Sequence, residues 1–191
     1  LTWMDAKVGD WVVTPRQGKP VEINALWYNA LCSVAGLARR LGQSPTFYDD
    51  LADQARQGFR RFVKPDGDGL FDVLDGPDGD DARIRPNQLF AVSLPHSPLD
   101  PAAQQAVVRV CGRELLTSCG LRSLAPRHAE FQPYYLGAVR ERDGGYHQGP
   151  VWAWLLGHYA VAHYRVQGDA AAAQAWLEPI RDHLLDAGLG T

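Results

Sequence analysis

The stretch Glu22–Gly42 reads EINALWYNALCSVAGLARRLG and decides the fold. Its apolar residues recur three and four positions apart, which is the spacing of one face of an amphipathic helix. The stripe consists of Leu26, Trp27, Ala30, Leu31, Val34, Leu37, Ala38 and Leu41. Gly42 follows the last of them and is suited to end a helix, because glycine readily adopts the left-handed conformation found there. The sequence therefore predicts a long helix from Glu22 to Gly42.

The rest of the chain continues this helical pattern. Further helices are predicted from apolar spacing, proline positions and capping residues. They cover Pro45 to about Val63 with Ser44 as the cap, Arg85 to about Leu94, Pro101 to about Ser118 with Asp100 as the cap, Gln148 or Gly149 to about Gln167, and about Ala170 to Ala187. Residues 64–82 are predicted to form a loop or short hairpin around strand-like Leu70–Leu74, and residues 120–146 to be irregular. With about six helices and no βαβ rhythm, the predicted class is all-α.

Composition and charge are those of an ordinary globular domain. Of the 191 residues, 46% are hydrophobic and 21% are charged, which suffices for one sizeable core. The net charge is −3 and no cluster of Lys and Arg is present, so nucleic acid is not predicted as a partner. No apolar run could span a bilayer and the first residues are unlike a secretion signal, so no membrane is predicted. Three widely spaced cysteines, Cys32, Cys111 and Cys119, indicate buried thiols and a cytoplasmic location.

Metal-dependent and triad chemistry find no support in the sequence. The six histidines lack the i,i+4 spacing with a glutamate that zinc hydrolases use, and no Cys-x-x-Cys is present. The run Asp66–Gly69 begins like a calcium loop, but Pro77 stands where the closing glutamate belongs, so a turn is the better interpretation. A Gly-x-Ser-x-Gly elbow is also missing. We predict neither a metal nor a cofactor.

Two acids lie beside tryptophans near the start of the chain. Asp5 follows Trp3 closely, and Glu22 precedes Trp27. Sugar sites pair aromatic rings with charged or amide groups, and hydrolysis of a glycosidic bond needs two carboxyls. Against an indole, Asp5 is expected to be partly desolvated, which would raise its pKa and suit a general acid. For Glu22 the alternative is an ordinary acid at a helix N-terminus, favoured by the helix dipole.

Further polar residues are candidates for a binding pocket. Arg85, Asn87 and Gln88 could line a pocket or simply begin a helix, and Arg122 could line a pocket or staple a loop. The segment Tyr146–Trp152 is harder to explain as packing, because it places a histidine, an amide and an indole beside a glycine that permits close backbone approach. The predicted loops that carry several of these residues are longer than usual, as functional loops often are.

Five motifs, in this order, resemble the C-terminal amylo-α-1,6-glucosidase domain of glycogen debranching enzymes. They are Thr2-Trp3-Met4-Asp5-Ala6, the run Pro15–Asn29 (PRQGKPVEINALWYN), Arg85-Pro86-Asn87-Gln88, Gly120-Leu121-Arg122-Ser123-Leu124, and Tyr146–Trp152 (YHQGPVW). The resemblance runs from residue 2 to about residue 157. It implies an (α/α)6 toroid with its active site in the loops at one end, and inverting hydrolysis of α-1,6-linked glucose.

The resemblance also implies roles for individual residues. Asp5 matches the general acid that protonates the glycosidic oxygen. The positions expected to line the glucose pocket are Trp3, Glu22, Arg85, Asn87, Gln88, Arg122, His147, Gln148 and Trp152. Eukaryotic relatives look to have a glutamate after His-Gln-Gly-Pro, where this chain has Val151, while bacterial relatives continue past a motif like Gly188–Thr191 into a segment with its own glutamate.

Two expectations follow from this comparison with the family. The 191 residues would supply roughly half of the toroid, as a fragment of a longer chain that lacks residues before Leu1 and a base beyond Thr191. Helix faces left open at the edges would be apolar and would favour self-association. Within the chain itself Glu22 is the only candidate base, and an inverting pair with Asp5 would be about 6.5–9.5 Å apart.

The predicted function is therefore an inverting glycoside hydrolase acting on glycogen or a limit dextrin at α-1,6 branch points. One alternative is another glycosidase of the same toroidal fold, either trehalase-like or glucoamylase-like, because one fold hosts many chemistries. A second alternative is a noncatalytic glucan-binding fragment, and a third is a helical protein-interaction domain with no affinity for sugars.

Overall fold

The computed structural model describes residues 2–186, and about half of the chain is helical. The motif Gly188–Thr191 lies outside the described residues. The chain divides into two compact units, each treated separately below. The first unit contains residues 1–15, 83–86 and 108–191, and the second contains residues 16–82 and 87–107.

The helices and strands alternate along the chain in short groups. The α-helices are α1 (Val21–Arg40), α2 (Thr46–Phe59), α3 (Phe90–Ser93), α4 (Pro101–Glu114), α5 (Val139–Gly144), α6 (Leu155–Gln167), α7 (Ala170–Ala175) and α8 (Glu178–Asp186). The strands are β1 (Lys7–Val8), β2 (Trp11–Val12), β3 (Lys19–Pro20), β4 (Val73–Gly76), β5 (Gly79–Asp81), β6 (Leu116–Thr117), β7 (Gly120–Arg122) and β8 (Val151–Trp152). Two 3₁₀ turns cover Arg60–Phe62 and Pro86–Leu89.

The second unit is built on α1, which packs against α2 and α3. The small residues Ala25, Ala35 and Ala38 of α1 are buried, and they allow close approach of a neighbouring helix. A three-stranded antiparallel sheet, β3–β4–β5, pairs Pro20 with Val73 and so joins the start of α1 to residues 73–81. Gly42 has φ +68° just beyond α1, as its predicted role in ending that helix requires.

The outer face of α1 is apolar and exposed. Trp27 is 54% exposed and Leu41 is 74% exposed. The residues Ile23, Leu26, Val34 and Leu37 on this helix are exposed as well. Most of the stripe predicted from the sequence therefore faces outward, and the alanine-rich face is the one that packs. Self-association through apolar helix faces at the edges of an incomplete ring stays a prediction.

The first unit combines two short antiparallel sheets with helices. Strands β1 and β2 form a hairpin that pairs Lys7 with Val12. Strands β6, β7 and β8 form a second sheet, in which Leu121 lies between Leu116 and Trp152. Leu121, in the central strand β7, is fully buried, and α6 packs against β7. The order of the strands brings the segment around Trp152 beside residues 120–122.

Several predicted elements are corrected by the structure. Residues 2–186 contain three small antiparallel sheets, of which the sequence indicated only the β4–β5 hairpin within residues 64–82. The helix predicted to reach Ser118 ends at Glu114, because the chain turns back through the β6–β7 hairpin. The helix predicted from Gln148 or Gly149 begins at Leu155, because β8 takes up the preceding residues. The predicted last helix is two helices, α7 and α8, separated at residues 176–177.

Smaller corrections concern caps and cysteines. The N-cap of α2 is Pro45 rather than Ser44. Asp100 does cap α4, since its Oδ1 accepts a hydrogen bond of 2.8 Å from the Ala103 N–H. Cys111 is buried as predicted, but Cys119 is exposed in the turn between β6 and β7. Within residues 2–186, none of the helices combines the length and apolarity needed to cross a bilayer.

Candidate active site

Asp5 lies just before the β1–β2 hairpin and is open to solvent. Met4, its neighbour, is fully buried, and the backbone of Val13 donates to Ala6 O at 3.0 Å to close the segment. The Asp5 side chain is exposed. The partial desolvation expected from the neighbouring Trp3 is therefore not observed, but the carboxyl is accessible to a substrate.

Five rings of the first unit form a cluster, here called the aromatic cluster: Trp3, Tyr146, His147, Trp152 and Trp154. The Trp3 ring meets the edges of His147, Trp152 and Trp154, with centroids 5.2 to 5.3 Å apart. Such edge-to-face pairs are favourable beyond the area that they bury. Because Trp3 lies two residues before Asp5, this packing fixes the segment that carries the carboxyl.

His147 is the buried centre of the aromatic cluster. Its ring lies nearly parallel to Trp152, at 5.8 Å and 22°, and meets the edge of Tyr146 at 4.7 Å. Its Nδ1 is hydrogen-bonded to the hydroxyl of buried Thr14 at 3.2 Å. These contacts hold the imidazole in one orientation, as a second partner of a functional histidine commonly does.

Arg85 clamps the backbone around His147. Its guanidinium is buried and donates to His147 O at 2.5 Å, to Ser123 O at 3.1 Å and to Gln148 Oε1 at 2.8 Å. The planar fork of arginine suits several fixed acceptors at once. Arg85 thus shapes the site by holding the segment at residues 147–148.

Gly149 explains why this segment can lie so close to its neighbours. Its φ is +153°, and a Cβ placed there would overlap the carbonyl oxygen of Gln132. Its N–H donates to Ser123 Oγ at 3.0 Å. Any larger residue would displace the backbone at Gln132, so the glycine is needed for the segment to reach its place.

The second unit contains a separate group of buried polar residues, here called the charged cluster: Arg16, Glu22, Asp72 and Asn87. Arg16 donates to both carboxylate oxygens of Glu22, with Nη2 2.7 Å from Oε2. Its Nε also donates to Asp72 Oδ2 at 2.7 Å. Asn87 Nδ2 donates to Asp72 Oδ1 at 2.8 Å. The side chains of Arg16, Glu22 and Asp72 are almost fully buried. One buried guanidinium therefore forms ion pairs with two buried carboxylates.

Burial and neighbouring charges shift the pKa values of Glu22 and Arg16. Burial raises the pKa of Glu22, an effect that the charge of Asp72 reinforces and that Arg16 opposes. Burial acts to lower the pKa of Arg16, but the two carboxylates outweigh it and raise that pKa above its ordinary value. Arg16 therefore stays charged, and Glu22 accepts a proton more readily than an exposed glutamate.

The remaining predicted site residues have structural contacts. Gln88 is buried, and its Oε1 accepts a hydrogen bond from the Leu70 N–H at 3.1 Å. Arg122 lies in β7 and its Nη1 donates to Leu116 O at 3.5 Å, which fits the loop-staple alternative. The first unit brings together Trp3, Arg85, His147, Gln148 and Trp152, and the second brings Glu22 to Asn87.

Sequence reasoning missed several members of these clusters. Asp72 had a signal, since a single acid inside the apolar run Leu70–Leu74 suggests a buried, paired carboxyl. Arg16 belongs to a quoted motif but was not singled out, because its partner Asp72 is 56 residues away along the chain. Tyr146 opens the motif Tyr146–Trp152 but has no functional group that sets it apart there, and Thr14 and Trp154 carry no pattern that distinguishes them from packing residues.

Comparison with known proteins gives one family and several relatives. The family model described as amylo-alpha-1,6-glucosidase matches residues 1–191. The glycogen debranching enzyme of Saccharomyces cerevisiae is 26% identical over 207 residues, which cover 85% of this chain and 13% of that protein.

Solved structures of similar fold come from Thermus thermophilus. A GH63 mannosylglycerate hydrolase in complex with Tris has a TM-score of 0.65 and 19% identity, covering 87% of this chain and 37% of that one. The same hydrolase in complex with glucose has a TM-score of 0.63 and 19% identity, covering 87% and 39%. The chain thus spans little more than a third of these structures and about an eighth of the yeast protein.

Proposed function

Because this chain belongs to the amylo-alpha-1,6-glucosidase family, we propose that it carries the general acid and part of the sugar pocket of a glycoside hydrolase. Its substrate would be the α-1,6-linked glucose at a branch point of glycogen or a limit dextrin. The observation that carries the proposal is an exposed carboxyl, Asp5, two residues after Trp3, whose ring packs in the aromatic cluster.

The proposed role of Asp5 is to protonate the glycosidic oxygen as the bond breaks. A general acid must reach the leaving oxygen, which requires an accessible carboxyl on a rigid support. Asp5 is exposed while Met4 and the Trp3 ring anchor the residues before it. A carboxyl in this position meets the geometric demand.

The aromatic cluster is the proposed site for the glucose ring. Tryptophan faces match the apolar C–H faces of sugars, and polar groups at the rim match the hydroxyls. The indole N–H of Trp152 is buried and finds no acceptor among residues 2–186. A sugar hydroxyl is a suitable acceptor for it.

Glu22 was predicted as the base, and its contacts favour a different role. A general base must be free to take a proton from the attacking water. Both carboxylate oxygens of Glu22 instead accept from Arg16, and the side chain is buried. We propose that Glu22 positions the start of α1 and that another carboxyl activates the water.

The (α/α)6 toroid is likewise part of the proposal. The similarity to the mannosylglycerate hydrolase structures and the paired packing of α1 with α2 support it. On this view residues 1–191 supply part of the ring, as their share of those structures suggests.

The decisive experiment is glucose release from a phosphorylase limit dextrin by the protein and two aspartate variants. Asp5→Asn should lower kcat by about 10²–10⁴-fold, which is the usual contribution of a general acid. Asp10→Asn is the matched control, because Asp10 is an exposed acid in the β1–β2 hairpin that directly follows Asp5. With α-glucosyl fluoride, whose leaving group needs no proton, Asp5→Asn should lose much less activity.

Two outcomes would contradict the proposal. Equal losses in both aspartate variants would remove Asp5 from the chemistry. Glucose release from trehalose or linear maltooligosaccharides, with none from the limit dextrin, would place the activity on a different linkage.

A further inference from the structure

An exposed aromatic segment of the first unit lies outside the pocket assigned above. Residues 131–137, here called the Tyr134 loop, precede α5. Tyr134 is 73% exposed, Leu136 70% and Tyr135 40%. Large apolar side chains concentrated on one loop mark a binding surface more often than a chance exposure does.

The Tyr134 loop is held in place rather than free. Gln132 N–H donates to Gln148 O at 2.7 Å, which ties the start of the loop to the His147 segment. Gly145 permits this approach, since a Cβ there would lie 3.1 Å from Gln132 Oε1. At the other end, the Ala138 N–H donates to Glu141 Oε2 at 3.1 Å.

Tyr135 is the central anchor of the loop. Its hydroxyl donates to Asp143 Oδ1 at 2.9 Å, and the Arg142 guanidinium lies 5.5 Å from its ring centre. The ring also packs on Tyr146, with centroids 5.4 Å apart. These contacts leave the adjacent Tyr134 ring presented to solvent on an ordered backbone.

The anchor connects directly to the aromatic cluster. Tyr135 contacts Tyr146, Tyr146 contacts His147, and His147 contacts Trp3. A continuous series of rings therefore runs from the Tyr134 loop to the residues beside Asp5. A polymer whose end occupies the pocket could continue along this surface.

We propose that Tyr134 is a platform for a glucose unit of the glucan chain that carries the branch, and that Tyr135 positions it. This inference rests on the proposed function. The face of an exposed tyrosine matches the apolar face of a glucose unit, and Arg142 and Asp143 supply polar groups beside it. Because the loop is already ordered, little conformational freedom is lost when the chain binds.

The test compares a polymeric substrate with one that has no glucan chain. Tyr134→Ala should raise KM for limit dextrin by about three- to tenfold with kcat nearly unchanged, the size expected for one aromatic contact. It should leave kcat/KM for α-glucosyl fluoride unchanged. Tyr134→Phe keeps the ring and should behave like the unmodified protein. Phe47→Ala, which removes an exposed ring of the second unit, is the matched control.

An unchanged KM for limit dextrin in Tyr134→Ala would overturn the proposal, and so would an equal loss on α-glucosyl fluoride. If the unmodified protein hydrolyses neither substrate, a calorimetric titration with maltoheptaose decides the platform without depending on catalysis. Weaker binding by Tyr134→Ala than by Phe47→Ala would then support it. Equal binding by both variants, or no binding by the unmodified protein, would overturn it.

Discussion

The aromatic cluster is only partly buried and the charged cluster almost fully so, and the two are built on different principles. In the charged cluster, Arg16 satisfies Glu22 and Asp72, and Asn87 completes the set, so its polar groups serve one another. In the aromatic cluster, most rings meet edge to face, and the polar groups do not form a set of mutual hydrogen bonds. Trp154 is partly exposed there, and the Trp152 N–H has no acceptor among residues 2–186.

This difference in construction suits the charged cluster to supporting the fold and the aromatic cluster to contacting a ligand. A closed set of ion pairs has no capacity left for a ligand, and its value lies in holding one arrangement of the chain. An open set of rings with an accessible carboxyl beside it can still gain contacts when a substrate arrives. Buried charge alone was therefore a poor guide to the site, even though both clusters hold residues from the family motifs.

The largest expected effect comes from opening the charged cluster. Arg16→Ala would leave Glu22 and Asp72 buried without their shared cation, and should lower the free energy of unfolding by about 3–5 kcal/mol. Arg39→Ala, which breaks the exposed pair with Asp49, should change it by about 0–1 kcal/mol. Urea unfolding at pH 7 measures both. Similar small losses would show that the charged cluster does not hold the unit together.

A smaller effect is expected at the support of the aromatic cluster. Gly149→Ala would force a Cβ against Gln132 O and should reduce stability by about 1–3 kcal/mol, because the backbone conformation is strained for other residues. Glucose release should fall as well, since His147 would shift. Gly157→Ala is the control, because α6 has open space there and alanine favours helix. Thermal unfolding of both variants would refute the expectation if Gly149→Ala were as stable as Gly157→Ala.

The smallest effect is a pH dependence of the first unit. His128 Nε2 accepts the Ile84 N–H at 2.9 Å, and burial together with Arg127 lowers the pKa of His128 below 6.5. The folded protein thus binds this proton less readily than the unfolded chain. The contribution of neutral His128 to the free energy of unfolding is complete above pH 6.5. It is lost as the pH falls through the pKa that His128 has in the folded protein.

The contribution of Glu22 to stability changes with pH in the opposite direction, because the pKa of Glu22 is raised in the folded protein. The two contributions can be separated with His128→Gln, which should remove the part of the stability loss below pH 6.5 that belongs to His128. His96→Gln, at an exposed position, serves as the control. Identical pH profiles of the two variants in urea unfolding would contradict the assignment.

Much of the helical framework could be predicted from local patterns. Gly42, Asp100 and Gly168 mark helix boundaries through backbone conformation or side-chain capping, which are properties of single residues. The packing face of α1 could not be found in the same way. Alanines form its buried face and larger apolar residues are exposed, so hydrophobicity alone selected the wrong side.

The short strands and the ion pairs depend on distant residues. Val151 and Trp152 look like the start of a helix until β7 is present to pair with them. Asp5, His147 and Trp152 could be proposed from their motifs, but the clamp by Arg85 and the closure of Glu22 by Arg16 depend on the tertiary fold. The sequence identified the candidate residues. It could not distinguish those that stay accessible to a ligand from those whose polar groups are paired within the fold.

The spacing of the charged cluster along the chain has a consequence for synthesis. Arg16 and Glu22 leave the ribosome almost together, but Asp72 and Asn87 emerge much later. At about 5–20 residues per second, roughly 4–14 seconds pass between Arg16 and Asn87. During that interval the start of α1 cannot be buried with its full set of partners. The nascent second unit must therefore wait with an exposed ion pair and an apolar α1 surface, which is when we expect it to be most dependent on chaperones.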